Sequence, residues 1–125
     1  MAALFADSSA SHLVSIDVVA HGPAVQVTAA GEIDSSSAPV LEQRLEAVLA
    51  AELERLTIDL RGVSFLDSAG LCVLAAAHKR AGEKQVALRV LASSRAVIRP
   101  LQITGLWQLL GAEQVAAVSD DASVA

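Results

Sequence analysis

Apolar positions along the chain alternate between a spacing of two and a spacing of three to four. Leu13, Ser15, Asp17 and Val19 interleave with Val14, Ile16 and Val18, which predicts a strand. His21-Gly22-Pro23 is a turn signal and 24–29 reads as a second strand, so 13–29 is expected to be a hairpin. Leu41, Leu45, Val48 and Leu49 then recur at i, i+4, i+7 and i+8. That stripe predicts a helix over 38–52, capped by Ser37, with Pro39 tolerated in its first turn. A third strand is expected over 56–60. A second helix is expected from Ser68 or Ala69 to about Gly82, apolar nearly all round at its start and therefore buried against the sheet.

The pattern continues with a strand over 86–91 and a third helix, capped by Ser93 or Ser94, that carries Val97, Ile98 and Leu101. Pro100 lies inside that helix and is expected to kink or shorten it. Thr104-Gly105 ends it. The segment 106–110 is a helical turn closed by Gly111, and 115–118 reads as a short last strand. The order β-β-α-β-α-β-α-(α)-β implies one α/β domain, a mixed sheet of four to five strands with helices packed on it. Its bounds are read as 12–118, with 1–11 and 119–125 as small, polar, flexible ends.

Composition narrows the function classes. The chain has 125 residues, 54% of them hydrophobic and 18% charged, enough for one well-formed core. No apolar run reaches the roughly 18 residues of a membrane span. The first residues lack a basic, long-apolar leader pattern, so no signal peptide is expected and the cytoplasm is the expected compartment. The net charge of −5 and a mere 2% aromatic content argue against direct nucleic-acid binding. Cys72 is the one cysteine, and its apolar neighbours Leu71 and Val73 predict a buried, inert thiol. His12, His21 and His78 show no ligand spacing, so no metal and no cofactor is expected.

The chemistry gathers at Ser64-Phe65-Leu66-Asp67-Ser68-Ala69-Gly70-Leu71, where strand gives way to helix. Turns of this kind stand at the C-terminal edge of a sheet, where ligand sites form. Three readings apply to Ser68. It is a helix cap, together with Asp67; it accepts a phosphate, which the N–H groups and positive end of the helix would tolerate; or it is a nucleophile. The last reading is weak. Leu66-Asp67-Ser68-Ala69-Gly70 has a leucine where the G-x-S-x-G elbow needs its first glycine. On the local pattern alone the cap is favoured.

Three segments in register change that order. Gly31-Glu32-Ile33-Asp34-Ser35-Ser36-Ser37-Ala38 resembles the G-E-[LI]-D-x-x-[TS]-A motif of STAS domains. The run from Ile58 to Leu71 resembles their hydrophobic strand and D-S-[SA]-G-L turn, and Ala96 to Leu106 resembles their helix ending in T-G-L. The resemblance covers about residues 13–118. It implies an anti-sigma factor antagonist in a partner-switching cycle. In that cycle the unphosphorylated protein binds an anti-sigma factor, often a serine kinase using ATP-Mg, and a sigma factor is released. Phosphorylation of Ser68 then weakens binding, and a phosphatase resets the cycle. The resemblance also implies that Asp34 lies near Ser68, and that Asp34, Ser35, Ser36, Asp67, Ser68 and Gly70 face the partner. Asp34 read without it is a turn-forming or helix-dipole acid. Ser35 and Ser36 stand where the family often has large polar residues. The alternatives are a STAS interaction subunit of a transporter or sensor complex that is never phosphorylated, and a module binding a nucleotide or small anion at the helix terminus.

Overall fold

The computed structural model describes residues 13–117. His12, Val118 and the end segments 1–11 and 119–125 lie outside the described residues. Within them the chain forms β1 (Val14–His21), β2 (Ala24–Ile33), α1 (Ala38–Ala50), β3 (Arg55–Leu66), α2 (Ser68–Glu83) and β4 (Ala87–Ala92). It closes with α3 (Arg95–Thr104), α4 (Leu106–Leu110) and β5 (Glu113–Gln114). One five-stranded sheet has the order β1-β2-β3-β4-β5. β1 and β2 are antiparallel, and the remaining pairs are parallel. The expected α/β class and the mixed sheet are observed.

The hairpin turn needs two residues, because His21 pairs with Ala24. Gly22 takes φ +62 at its first position, while the ring of Pro23 holds φ negative at the second. This combination matches the turn whose twist suits a hairpin. Leu56, Ile58 and Leu60 of β3 are fully buried on one face of the sheet, and α1 and α2 cover that face with Leu41, Leu45, Leu49 and Leu74. The alternate residues of β3, Thr57, Asp59 and Arg61, point to the other face. There Gln26 Nε2 donates to Thr28 Oγ1 at 3.2 Å and to Asp59 at 3.4 Å.

Several elements differ from the sequence expectation, each for a tertiary reason. β2 and β3 run on to Ile33 and Leu66, well past residues 29 and 60. Two bulges make the extension of β3 possible. Thr28 and Ala30 pair with Asp59 and Gly62, and Gly31 and Glu32 pair with Val63 and Phe65, so β3 takes one extra residue each time. Asp59 Oδ1 accepts the Arg61 N–H at 3.0 Å inside the first bulge. On its far side β3 outruns β4, whose pairing stops at Asp59. Ser93 Oγ and Ser94 Oγ donate there to the Arg61 and Val63 carbonyls at 3.3 and 3.2 Å. Neither serine caps α3 through its side chain, because both hydroxyls finish the ladder that β4 leaves open.

α1 stops at Ala50, two residues short of the expected Glu52. α3 continues through Pro100 to Thr104, whose hydroxyl donates to the Pro100 carbonyl at 2.8 Å. The last strand is the polar pair Glu113–Gln114, not the apolar run after it. The bidentate pair between Arg89 and Glu113, 3.0 Å at both contacts, ties this edge to β4. Cys72 is exposed, not buried. α2 buries Gly70, Val73, Leu74, Ala77 and Ala81 and turns Ser68, Cys72 and Ala76 outward. The apolar character of its other face therefore reflects small side chains and not burial.

Candidate partner-binding site at the start of the second helix

Parallel pairing of β2 and β3 brings two loops together. Ile33 pairs with Leu66, both are buried, and the Asp67 N–H donates to the Ile33 carbonyl at 3.2 Å. Asp34 and Asp67 are the next residue on each strand, so the Asp34–Ser37 loop lies beside the Asp67–Ser68 turn. The two acidic motif positions are 33 residues apart in sequence and neighbours in the fold.

Asp34 organises its own loop. Its Oδ1 accepts from the Ser36 N–H at 2.8 Å, the Ser36 hydroxyl at 2.7 Å and the Ser37 N–H at 3.1 Å. The Ser36 hydroxyl is the main cause that holds the Asp34 carboxyl below its usual range, with the Ser36 and Ser37 N–H groups adding to it. Ser37 sits at the N-cap position of α1 but makes no side-chain cap. It is fully buried; its hydroxyl donates to the Glu32 carbonyl at 2.7 Å and accepts the Asp34 N–H at 2.9 Å. Ser37 is therefore not the helix cap its sequence position suggests but the pin that closes the loop on the end of β2. Only its burial distinguishes the two roles. Ser35 and Ser36 are exposed, and the Ser35 side chain makes no hydrogen bond among the described residues.

The turn after β3 divides its labour. Asp67 is the N-cap of α2, and its Oδ1 accepts from the Ala69 and Gly70 N–H groups at 2.9 and 3.4 Å. Ser68 is exposed, and its hydroxyl makes no hydrogen bond among the described residues. Gly70 is buried beneath the turn. A Cβ there would meet Leu66 Cδ1 at 2.4 Å and Ile33 Cγ2 at 2.8 Å. Gly70 therefore acts by letting α2 sit close on the strand ends, and it offers no side chain to a partner. The Ala69 and Gly70 N–H groups that an anion would seek at this helix terminus are already held by Asp67. A phosphate on Ser68 would consequently project from the surface beside two carboxylates.

Beyond Ser68 a shallow groove runs between α1 and α2, lined by Ser35, Ala38, Pro39, Glu42, Ala69, Cys72, Val73 and Ala76. Its floor is made of small apolar side chains and its rim carries Glu42. The signal for it in the sequence is the spacing of Ser68, Cys72 and Ala76 at i, i+4 and i+8, one face of a helix. Among the described residues no group of three or more His, Cys, Asp or Glu lies together, and no helix is long and apolar enough to cross a membrane.

Replacing the cap tests this division of roles. Asp67→Ala is expected to cost about 1 kcal/mol of stability, the usual loss for an acidic N-cap, read as a lower urea midpoint at unchanged m. Ser68→Ala should leave that midpoint within about 0.5 kcal/mol of the parent, since the hydroxyl makes no bond. Equal losses for the two variants would contradict the assignment.

Comparison with known proteins agrees with this architecture. The STAS domain family matches residues 15–122. The anti-sigma-B factor antagonist of Bacillus subtilis is 37% identical over 97 residues, covering 78% of this chain and 88% of that protein. The anti-sigma-F factor antagonist RsfB of Mycobacterium tuberculosis is 35% identical over 98 residues, covering 78% and 80%. The crystal structure of an anti-sigma factor antagonist from Mycobacterium paratuberculosis superposes with a TM-score of 0.76 at 35% identity, covering 92% of this chain and 96% of that one. The anti-sigma factor antagonist SpoIIAA, at 14% identity and a TM-score of 0.69 over 88% and 93% of the two chains, shares the fold. The paired strands that join an Asp34 loop to a capped Ser68 helix, together with the match over 15–122, place this chain in the STAS domain family.

Proposed function

We propose that this protein is an anti-sigma factor antagonist whose binding is switched off by phosphorylation of Ser68. In its unphosphorylated form the surface formed by Asp34, Ser35, Ser36, Asp67 and Ser68 binds an anti-sigma factor, and a sigma factor is released. The anti-sigma factor, as a serine kinase with ATP-Mg, transfers the terminal phosphoryl group to Ser68 Oγ, and a phosphatase later removes it. Gly70 supports the surface from below.

The observation that carries this reading is the state of the Ser68 hydroxyl. It is exposed, it stands on the first turn of a rigid helix, and the neighbouring carboxylate has taken over the cap. Modification therefore removes no bond that the fold needs. Phosphate adds about −1.5 to −2 charges at a surface that already holds Asp34 and Asp67. Repulsion of partner carboxylates, and loss of a small docking hydroxyl, then weaken the complex without unfolding the chain. The antagonist relatives at 35–37% identity support the same role.

The test is incubation with a kinase-type anti-sigma factor and ATP-Mg, with the phosphate mapped by mass spectrometry. Phosphate is expected on Ser68 and absent from Ser68→Ala. Ser68→Asp is expected to keep the parent unfolding midpoint and to bind the anti-sigma factor at least about tenfold more weakly, with part of the loss recovered at higher salt. Binding at parental affinity by Ser68→Asp, or phosphate confined to other residues, would refute the switch. Tight binding with no phosphate under any condition would instead indicate a constitutive interaction subunit.

A further inference from the structure

We propose that the outer face of α3 is a second docking surface, for an acidic segment of a partner protein that also carries an apolar side chain. Arg95, Arg99, Gln102 and Ile103 fall at i, i+4, i+7 and i+8, so they share one face of the helix. The opposite stripe, Val97, Ile98 and Leu101, is buried against the core. The outward face joins Ser93 and Gln114 to line an open cleft between α3 and the β5 edge of the sheet.

Charge selects the occupant. Residues 84–112 carry four basic side chains, Lys84, Arg89, Arg95 and Arg99, and no acidic one, in a chain of net charge −5. Arg89 is paired with Glu113 and Lys84 with carbonyls at the end of α1. The Arg95 and Arg99 guanidinium groups make no ion pair or hydrogen bond among the described residues. Two unpaired guanidinium forks one helical turn apart match carboxylates, which they can hold bidentately. Ile103, one further turn along, is 76% exposed, the highest value among the exposed large hydrophobic residues of the described segment. An apolar side chain on the partner would cover it, and the gain from removing that area from water adds to the charge pairing. Nucleic acid fits less well, since the patch has two cations and no aromatic side chain for a base to stack on. No residue that lines this cleft also lines the groove beside Ser68.

The experiment uses the full chain and a labelled synthetic peptide of glutamates flanking leucines, followed by fluorescence anisotropy. Two control peptides replace the glutamates by glutamines or the leucines by serines, and a labelled single-stranded oligodeoxynucleotide is run beside them. The parent is expected to bind the acidic peptide, less tightly as salt rises, and each control peptide several-fold more weakly. Arg95→Glu with Arg99→Glu should weaken acidic-peptide binding at least about tenfold. Ile103→Ser should cost several-fold. The three side chains are exposed, so unfolding midpoints should stay near the parent value and confirm that the variants fold. No binding of the acidic peptide, equal binding of the glutamine control, indifference to the arginine substitutions, or tighter binding of the oligonucleotide would each overturn the proposal.

Discussion

Gly31→Ala is expected to destabilise the protein by about 3–5 kcal/mol, a large share of the roughly 5–15 kcal/mol that holds a domain of this size together. Two costs combine. Gly31 has φ +106, a conformation that side chains with a Cβ rarely adopt. A Cβ at that position would also stand 2.1 Å from the Leu13 carbonyl oxygen, a backbone atom that already accepts the Glu32 N–H at 2.8 Å. The backbone cannot swing aside as a side chain would, so the pairing of Val14 with Gly31 must open. Gly22→Ala is the control. Gly22 also has positive φ, but a Cβ there meets nothing within 4 Å, so only the conformational cost of about 1 kcal/mol applies. Urea unfolding of the two variants reads the difference, and amide exchange should place the extra loss of Gly31→Ala on β1. A loss for Gly31→Ala no larger than that for Gly22→Ala would show that the β1 start yields more easily than its geometry implies.

Arg61→Ala is expected to cost about 3 kcal/mol near neutral pH, and much less near pH 4. Asp59 is 1% exposed on the strand that leads to Ser68. Burial pushes its carboxyl up. The Arg61 guanidinium, at 2.8–3.2 Å, and the Arg61 N–H outweigh that and hold it below its usual value. In the parent the pair therefore contributes stability above the unfolded-state pKa of about 3.9, and that contribution is lost as pH falls through the lowered folded value. Without the guanidinium the balance reverses and burial raises the folded pKa. The penalty is then complete above that raised value and disappears below about pH 4, where the carboxyl is neutral in both states. The parent and variant stability curves should therefore start to diverge as pH rises through the lowered folded value of the parent, and should go on diverging up to the raised value of the variant. Asp59→Ala should cost less than Arg61→Ala near neutral pH, because the Arg61 side chain, 29% exposed, can turn its charge toward water. It should also lack the pH dependence that comes from this site. Parallel curves for the parent and Arg61→Ala would disprove the assignment of the pair.

Part of the site is legible in the sequence and part is not, and the reach of each interaction along the chain decides which. A capped start of α2 at Asp67 or Ser68 follows from local rules, because a cap needs only the N–H groups two and three residues on; that Asp67 takes the cap and leaves the Ser68 hydroxyl exposed is decided by the structure. Helix and strand order followed from periodicity for the same reason. The ends of β2 and β3 did not, since a strand extends as far as its neighbours offer partners. Here the partners of β3 are β2, against which β3 bulges twice, on one side and the Ser93 and Ser94 hydroxyls on the other. Cys72 was misplaced because an alanine-rich helix has the same composition whether its second face is covered or open.

By itself the sequence determined the alternating α/β order, the turn at Gly22, the capped start of α2 and the register of the motifs that identify the family. These rest on spacings within a few residues, where backbone geometry alone decides. Only the tertiary structure decided that Asp34 lies next to the Ser68 turn, that Ser37 is a buried pin and Gly70 a packing contact, and that Arg95 and Arg99 stand beside Ile103 with no ion pair among the described residues. Each of those facts depends on which surfaces meet. Burial and pairing are properties of two segments at once, and no period within one segment contains them.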